Sequence, residues 1–107
     1  MKKTTLIAAA AAVLLATGAA AAEEVEVGIE NYKFQPEKLT VKAGTTVKWT
    51  NNEKRASHSI WFKNEGIPES ERMFSGESHQ RTFDKPGTYP YTCGPHPEMH
   101  GVVEVTP

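Results

Sequence analysis

The densest chemistry in the sequence is the run Cys93-Gly94-Pro95-His96-Pro97-Glu98-Met99-His100. A thiol, an imidazole and a thioether recur there at intervals of three, so one short loop can wrap its donors around a single ion. His58, far upstream, adds a second imidazole if its strand end lies beside that of Cys93. Cys and Met are soft donors that suit copper(I), and imidazole suits both copper oxidation states. A trigonal set of two His and one Cys with a long axial Met is a copper electron-transfer geometry. Zinc prefers four strong ligands of the Cys, His or carboxylate kind, so a thioether as fourth donor speaks against it. Pro95 and Pro97 flank His96 and restrict the backbone, which keeps the loop similar in either charge state of the metal. Pro95 also has no amide hydrogen to give to the Cys93 sulfur. Such hydrogen bonds withdraw electron density from the thiolate, so the expected potential lies below that of an equal site with a donor there.

The elements that must position these donors read as short strands. Val25, Val27 and Ile29 alternate with polar residues, giving a strand over about Glu23 to Glu30. Asn31 to Pro36 reads as a loop or bulged crossing, because Pro36 cannot donate to a ladder. Leu39 and Val41, then Val47 and Trp49, give two more strands separated by Gly44. His58, Ile60 and Phe62 share one parity, which turns His58 inward. Asn64 to Met73 is irregular, with room for one helical turn over Pro68 to Met73. His79 to Phe83 forms a strand, and Lys85-Pro86-Gly87 a turn. Tyr89, Tyr91 and Cys93 share the inner face of the next strand, and Val103 and Val105 alternate in the last. About seven short strands without a convincing helix predict an all-β, antiparallel two-sheet Greek-key sandwich.

The chain has 107 residues and a net charge of -1, so binding nucleic acid through bulk positive charge is excluded. Lys2 and Lys3 precede an apolar run over Leu6 to Leu15, and Ala20, Ala21 and Ala22 supply the small residues of a cleavage site. Residues 1–22 are expected to be a cleaved secretory signal peptide and residues 23–107 one domain, exported to the periplasm and mildly acidic. The apolar run is short of the roughly 20 residues needed to span a bilayer, so no membrane span is expected after cleavage. Disulfides are common in an oxidising compartment, yet Cys93 is the only cysteine. An exported free thiol invites oxidation, which favours a metal-bound role.

The chain resembles the cupredoxins, the type 1 or blue copper proteins, over the whole of residues 23–107. The likeness is carried by Val47-Lys48-Trp49-Thr50-Asn51, His58-Ser59-Ile60-Trp61-Phe62, Gly87-Thr88-Tyr89-Pro90-Tyr91-Thr92-Cys93 and Gly101-Val102-Val103-Glu104-Val105. It is similar above all to the amicyanin branch, which has the short Cys-x2-His-x2-Met loop, whereas plastocyanin and pseudoazurin have a longer gap between His and Met. The resemblance implies that His58, Cys93 and His96 are equatorial ligands of one copper ion and Met99 the axial one. It also implies that Asn51 braces the two ligand loops and hydrogen-bonds near the cysteine sulfur. Gly94 departs from the Ser or Thr often found after the cysteine, and the Asn51 to His58 loop carries one extra residue. His96 is expected to emerge through an apolar patch with Pro95, Pro97 and Pro36.

The function implied is a monomeric one-electron carrier, not an enzyme, between redox proteins such as a c-type cytochrome or a periplasmic dehydrogenase or reductase. With four protein donors, no coordination position is left for a substrate. The alternative is a copper-binding protein for tolerance, storage or delivery. Such proteins tend to carry further Met and His clusters, and here only Met73, His79 and His100 are spare. Met73 reads as core or loop filler, His79 and His100 as surface residues, Trp49, Tyr89 and Tyr91 as core, and Trp61 as an outer-face residue.

Overall fold

The computed structural model describes residues 23–107; the expected signal peptide lies outside the described residues. Strands β1 (Glu24–Glu30), β2 (Lys33–Gln35), β3 (Lys38–Lys42), β4 (Thr45–Asn51), β5 (Ser78–Phe83), β6 (Gly87–Thr92) and β7 (His100–Thr106) are joined by turns and one short 3-10 turn, Lys63–Glu65. They form a four-stranded sheet in the order β2-β1-β4-β5 and a three-stranded sheet in the order β3-β7-β6. No helix among the described residues is long and apolar enough to cross a membrane.

The two-sheet sandwich agrees with the alternation, but its sheets are mixed, not wholly antiparallel. Strand β1 pairs parallel with β4, and β3 pairs parallel with β7. The reason lies in the crossing at Pro36. The chain reverses at Asn31-Tyr32 into β2, bends at Pro36 into β3 of the other sheet, and reverses again into β4. Strand β4 therefore runs in the same direction as β1. Alternation states which face is buried but not which strand lies alongside.

Two turns explain local details. Asn31 and Tyr32 both have positive φ (54° and 56°), the backbone of a two-residue hairpin turn whose twist suits the flanking strands. The segment expected to be a loop thus holds the short strand β2. Gly44, at φ 97°, reverses the chain between the sheets in a conformation that L side chains rarely adopt. The helical turn falls at Lys63–Glu65, not within Pro68 to Met73, and Gly66 closes it at φ 71°. Segment 58–62 is held by two isolated bridges, His58 to Met73 and Trp61 to Thr92. Its parity holds for His58, Ile60 and Phe62, which are buried, but Ser59 is buried as well.

The core centres on Trp49, fully buried, with its indole edge-on to Phe62, Phe83 and Tyr91. Phe34 meets Tyr91 at 4.8 Å between ring centroids. Trp49 Nε1 donates to Tyr91 Oη at 3.0 Å, so the one polar atom of the indole is paired. Tyr91 lies two residues before Cys93 on β6, so this aromatic cluster fixes the strand that delivers the sulfur. Tyr89, by contrast, is half-buried, its hydroxyl donating to Lys85 O at 2.6 Å.

Burial pushes the Tyr91 phenol up to about 12. Its neutral form therefore contributes stability that is complete below the unfolded value near 10 and is lost as pH rises through 12. Tyr91→Phe should cost about 1–3 kcal/mol at neutral pH by stranding the indole N–H. In urea unfolding, the gap between wild type and variant should narrow from pH 10 to 12.

Candidate metal centre

Cys93 directly follows β6, and the chain then turns back on itself. Cys93 N donates to Met99 O at 3.1 Å, and Met99 N to His96 O at 2.9 Å. This closed loop needs only the residues between, with Pro95 and Pro97 limiting its freedom. His58 arrives on the segment that bridges to β6 through Trp61 and Thr92, pinned by reciprocal backbone bonds with Met73 (3.1 and 2.8 Å).

One ligand atom from each of His58, Cys93 and His96 lies within 4.8 Å of the other two. Sγ is 3.6 Å from His58 Nδ1 and 3.7 Å from His96 Nδ1. Two bonds of about 2.0 and 2.3 Å opened to a trigonal angle separate their ends by about 3.7 Å. The spacing thus fits three donors around one ion. Met99 is buried beside them. Two imidazoles, a thiol and a thioether match the softness of copper and its type 1 geometry.

Burial raises the Cys93 thiol above its ordinary value, opposed by the backbone N–H groups of Ser59 and His96. Ser59 N–H donates to Sγ at 3.4 Å. The metal-free site therefore favours the thiol, and metal binding must release its proton.

The second nitrogen of each imidazole meets a different environment. His58 is fully buried, and its Nε2 lies 2.9 Å from Glu53 Oε1. A carboxylate there fixes which ring nitrogen carries the proton and leaves Nδ1 free to bind. Glu53 also accepts the backbone N–H groups of Asn31 and Tyr32, both at 3.2 Å. His96 is half-buried, with Pro97 exposed after it. The Tyr32 ring, 48% exposed, stands edge-on to both imidazoles, 5.5 Å from His58 and 4.9 Å from His96.

Asn51 is fully buried, and its Nδ2 donates to Ala56 O (2.8 Å) and Met73 O (2.9 Å) while its Oδ1 accepts Glu53 N–H (2.9 Å). These bonds shape the His58 loop and tie it to Met73; the sulfur takes its hydrogen bonds from elsewhere. Met73 is buried beside the site. His100 is exposed and lines an apolar groove with Trp61, Pro90 and Val102. His79 is half-buried against Trp49, and that burial, with Arg81, holds its pKa below the usual value. Glu53, Tyr32, Ser59 and Glu69 escaped the sequence reading. Only Glu53 carried a signal, as a carboxylate two residues after a bracing Asn.

Fold and donor set define a blue copper type of protein. The chain belongs to the family of the cupredoxin-like domain, whose model matches residues 3–105. It is 40% identical over 84 residues to amicyanin-alpha of Methylorubrum extorquens, covering 75% of this chain and 70% of that protein. It is 39% identical over 87 residues to amicyanin of Paracoccus versutus, covering 78% of this chain and 65% of that one. A solved structure of the copper(I) form of an amicyanin variant superposes with a TM-score of 0.74 at 33% identity, over 83% of this chain and 88% of its own.

Because His58 Nε2 is buried and its partner is Glu53, Glu53→Ala should lower copper(II) affinity by about 10–100-fold, read by competition with a chelator. Glu53→Gln, which can still accept a hydrogen bond, should fall between the two.

Proposed function

We propose that this protein is a periplasmic one-electron carrier in which His58 Nδ1, Cys93 Sγ, His96 Nδ1 and Met99 would hold one copper ion. The observation that carries this reading is the near-equal spacing of Sγ from the two Nδ1 atoms, 3.6 and 3.7 Å. Residues 1–22 act as a cleaved export signal and residues 23–107 as the carrier domain, working as a monomer.

Copper supplies a one-electron couple when bound. The protein does the rest by holding still. The Cys93 loop is closed by its own backbone bonds, and His58 is clamped by Met73 and Glu53, so the donors keep one geometry as the charge changes. The half-exposed His96 edge, with Tyr32 and Pro97 around it, is the point of contact with partners. Those partners are redox proteins such as a c-type cytochrome or a periplasmic dehydrogenase or reductase. A carrier role, not catalysis, follows from four protein donors that leave no position for a substrate. Copper tolerance, storage or delivery is less favoured, because Met73 is locked in the core and His100 lies outside the site.

The test is the visible spectrum of the protein with one equivalent of copper(II), beside Cys93→Ser. An intense thiolate-to-copper band that is lost in the variant and bleaches reversibly on reduction is expected. A colourless complex would overturn the assignment. Pro95→Ala, which adds an N–H near Sγ, should raise the potential in voltammetry.

A further inference from the structure

We infer that Glu69 is a positioning residue for the Cys93 donor, seated in the space that Gly94 leaves by having no side chain. Ser59 is fully buried and bonds to three groups around the sulfur. Its N–H donates to Cys93 Sγ (3.4 Å), its Oγ accepts Gly94 N–H (2.9 Å), and its hydroxyl proton goes to Glu69 Oε2 (2.6 Å). The chemistry fixes this order: an amide N–H can only donate and a carboxylate can only accept, so the single hydroxyl proton has one place to go. Glu69 thereby orients Ser59, and Ser59 staples the His58 segment to the Cys93 loop.

Gly94 shows that the carboxylate is built in. A Cβ on Gly94 would overlap the Glu69 carboxylate. Gly94 is not among the glycines with positive φ, so backbone conformation does not demand glycine there. Space does. The lost side chain after the cysteine and the gained carboxylate are two halves of one arrangement, with Arg72 Nε on the same oxygen at 3.3 Å.

A carboxylate this close to the sulfur favours the more positive state of a metal bound there, and Arg72 opposes it. This electrostatic part rests on the copper reading above; the packing part does not. The Glu69 side chain can swing away, so Gly94→Ala should evict the carboxylate and mimic its removal.

The experiment has two arms. In urea unfolding of the copper-free protein, Glu69→Ala and Gly94→Ala should each lower the midpoint, and the double variant should be no less stable than the weaker single. Losses that add in the double would overturn the coupling. In voltammetry of the copper-loaded protein, Glu69→Gln should raise the potential while keeping the unfolding midpoint near wild type, and Arg72→Gln should lower it. Unchanged potentials in both would overturn the electrostatic role. Failure to form the thiolate band, with the unfolding coupling intact, would sink the copper reading alone.

Discussion

The structure depends on keeping a thiol and an imidazole, both meant to carry or meet charge, inside an apolar interior. Burial alone works against this, as the raised Cys93 thiol shows. An unpaired buried polar group costs about 1–3 kcal/mol, so each must find a partner within the protein. Cys93 Sγ has the Ser59 N–H, His58 Nε2 has Glu53, and Asn51 has Ala56 and Met73. His58 is thus held through the ring nitrogen that does not face the other donors, while Cys93 takes the Ser59 N–H on the sulfur itself.

Two carboxylates organise these bonds. Glu53 joins the β1–β2 turn to His58, since it accepts the N–H groups of Asn31 and Tyr32 and meets the imidazole with the same side chain. Glu69 joins the irregular segment after the 3-10 turn to Ser59, and through Ser59 to the Cys93 loop. Both are only partly exposed, with side chains 16% and 29% accessible, so solvent screens them less than a surface carboxylate. Segments far apart in sequence therefore converge on one sulfur.

Behind the site, the ring cluster of Trp49, Tyr91, Phe34, Phe62 and Phe83 gives β6 a rigid backing. Edge-on aromatic pairs and one buried hydrogen bond leave the strand little freedom to shift. A metal held by such a strand would change charge with small movement of its ligands, as electron transfer requires. In front, Tyr32 lies edge-on against both imidazoles while remaining half-exposed.

The local chemistry was legible in the sequence. Donor types at intervals of three in Cys93, His96 and Met99 limit the metal to a soft one, and strict alternation in Val25 to Ile29, Val47 to Trp49 and Val103 to Val105 shows strands with one buried face. The inward turn of His58 followed from the same parity. These properties are legible because side-chain softness and a two-residue period belong to single residues and short stretches. Which strands lie side by side was not legible: β1 beside β4 and β3 beside β7 are parallel because the chain bends at Pro36, and alternation is blind to neighbours. Nor could sequence find Glu53, Tyr32, Ser59 and Glu69, whose roles come from contacts made across the fold. A carboxylate reads as surface charge until tertiary structure sets a buried imidazole or a glycine without a side chain beside it, and that choice was made by the packing of distant segments alone.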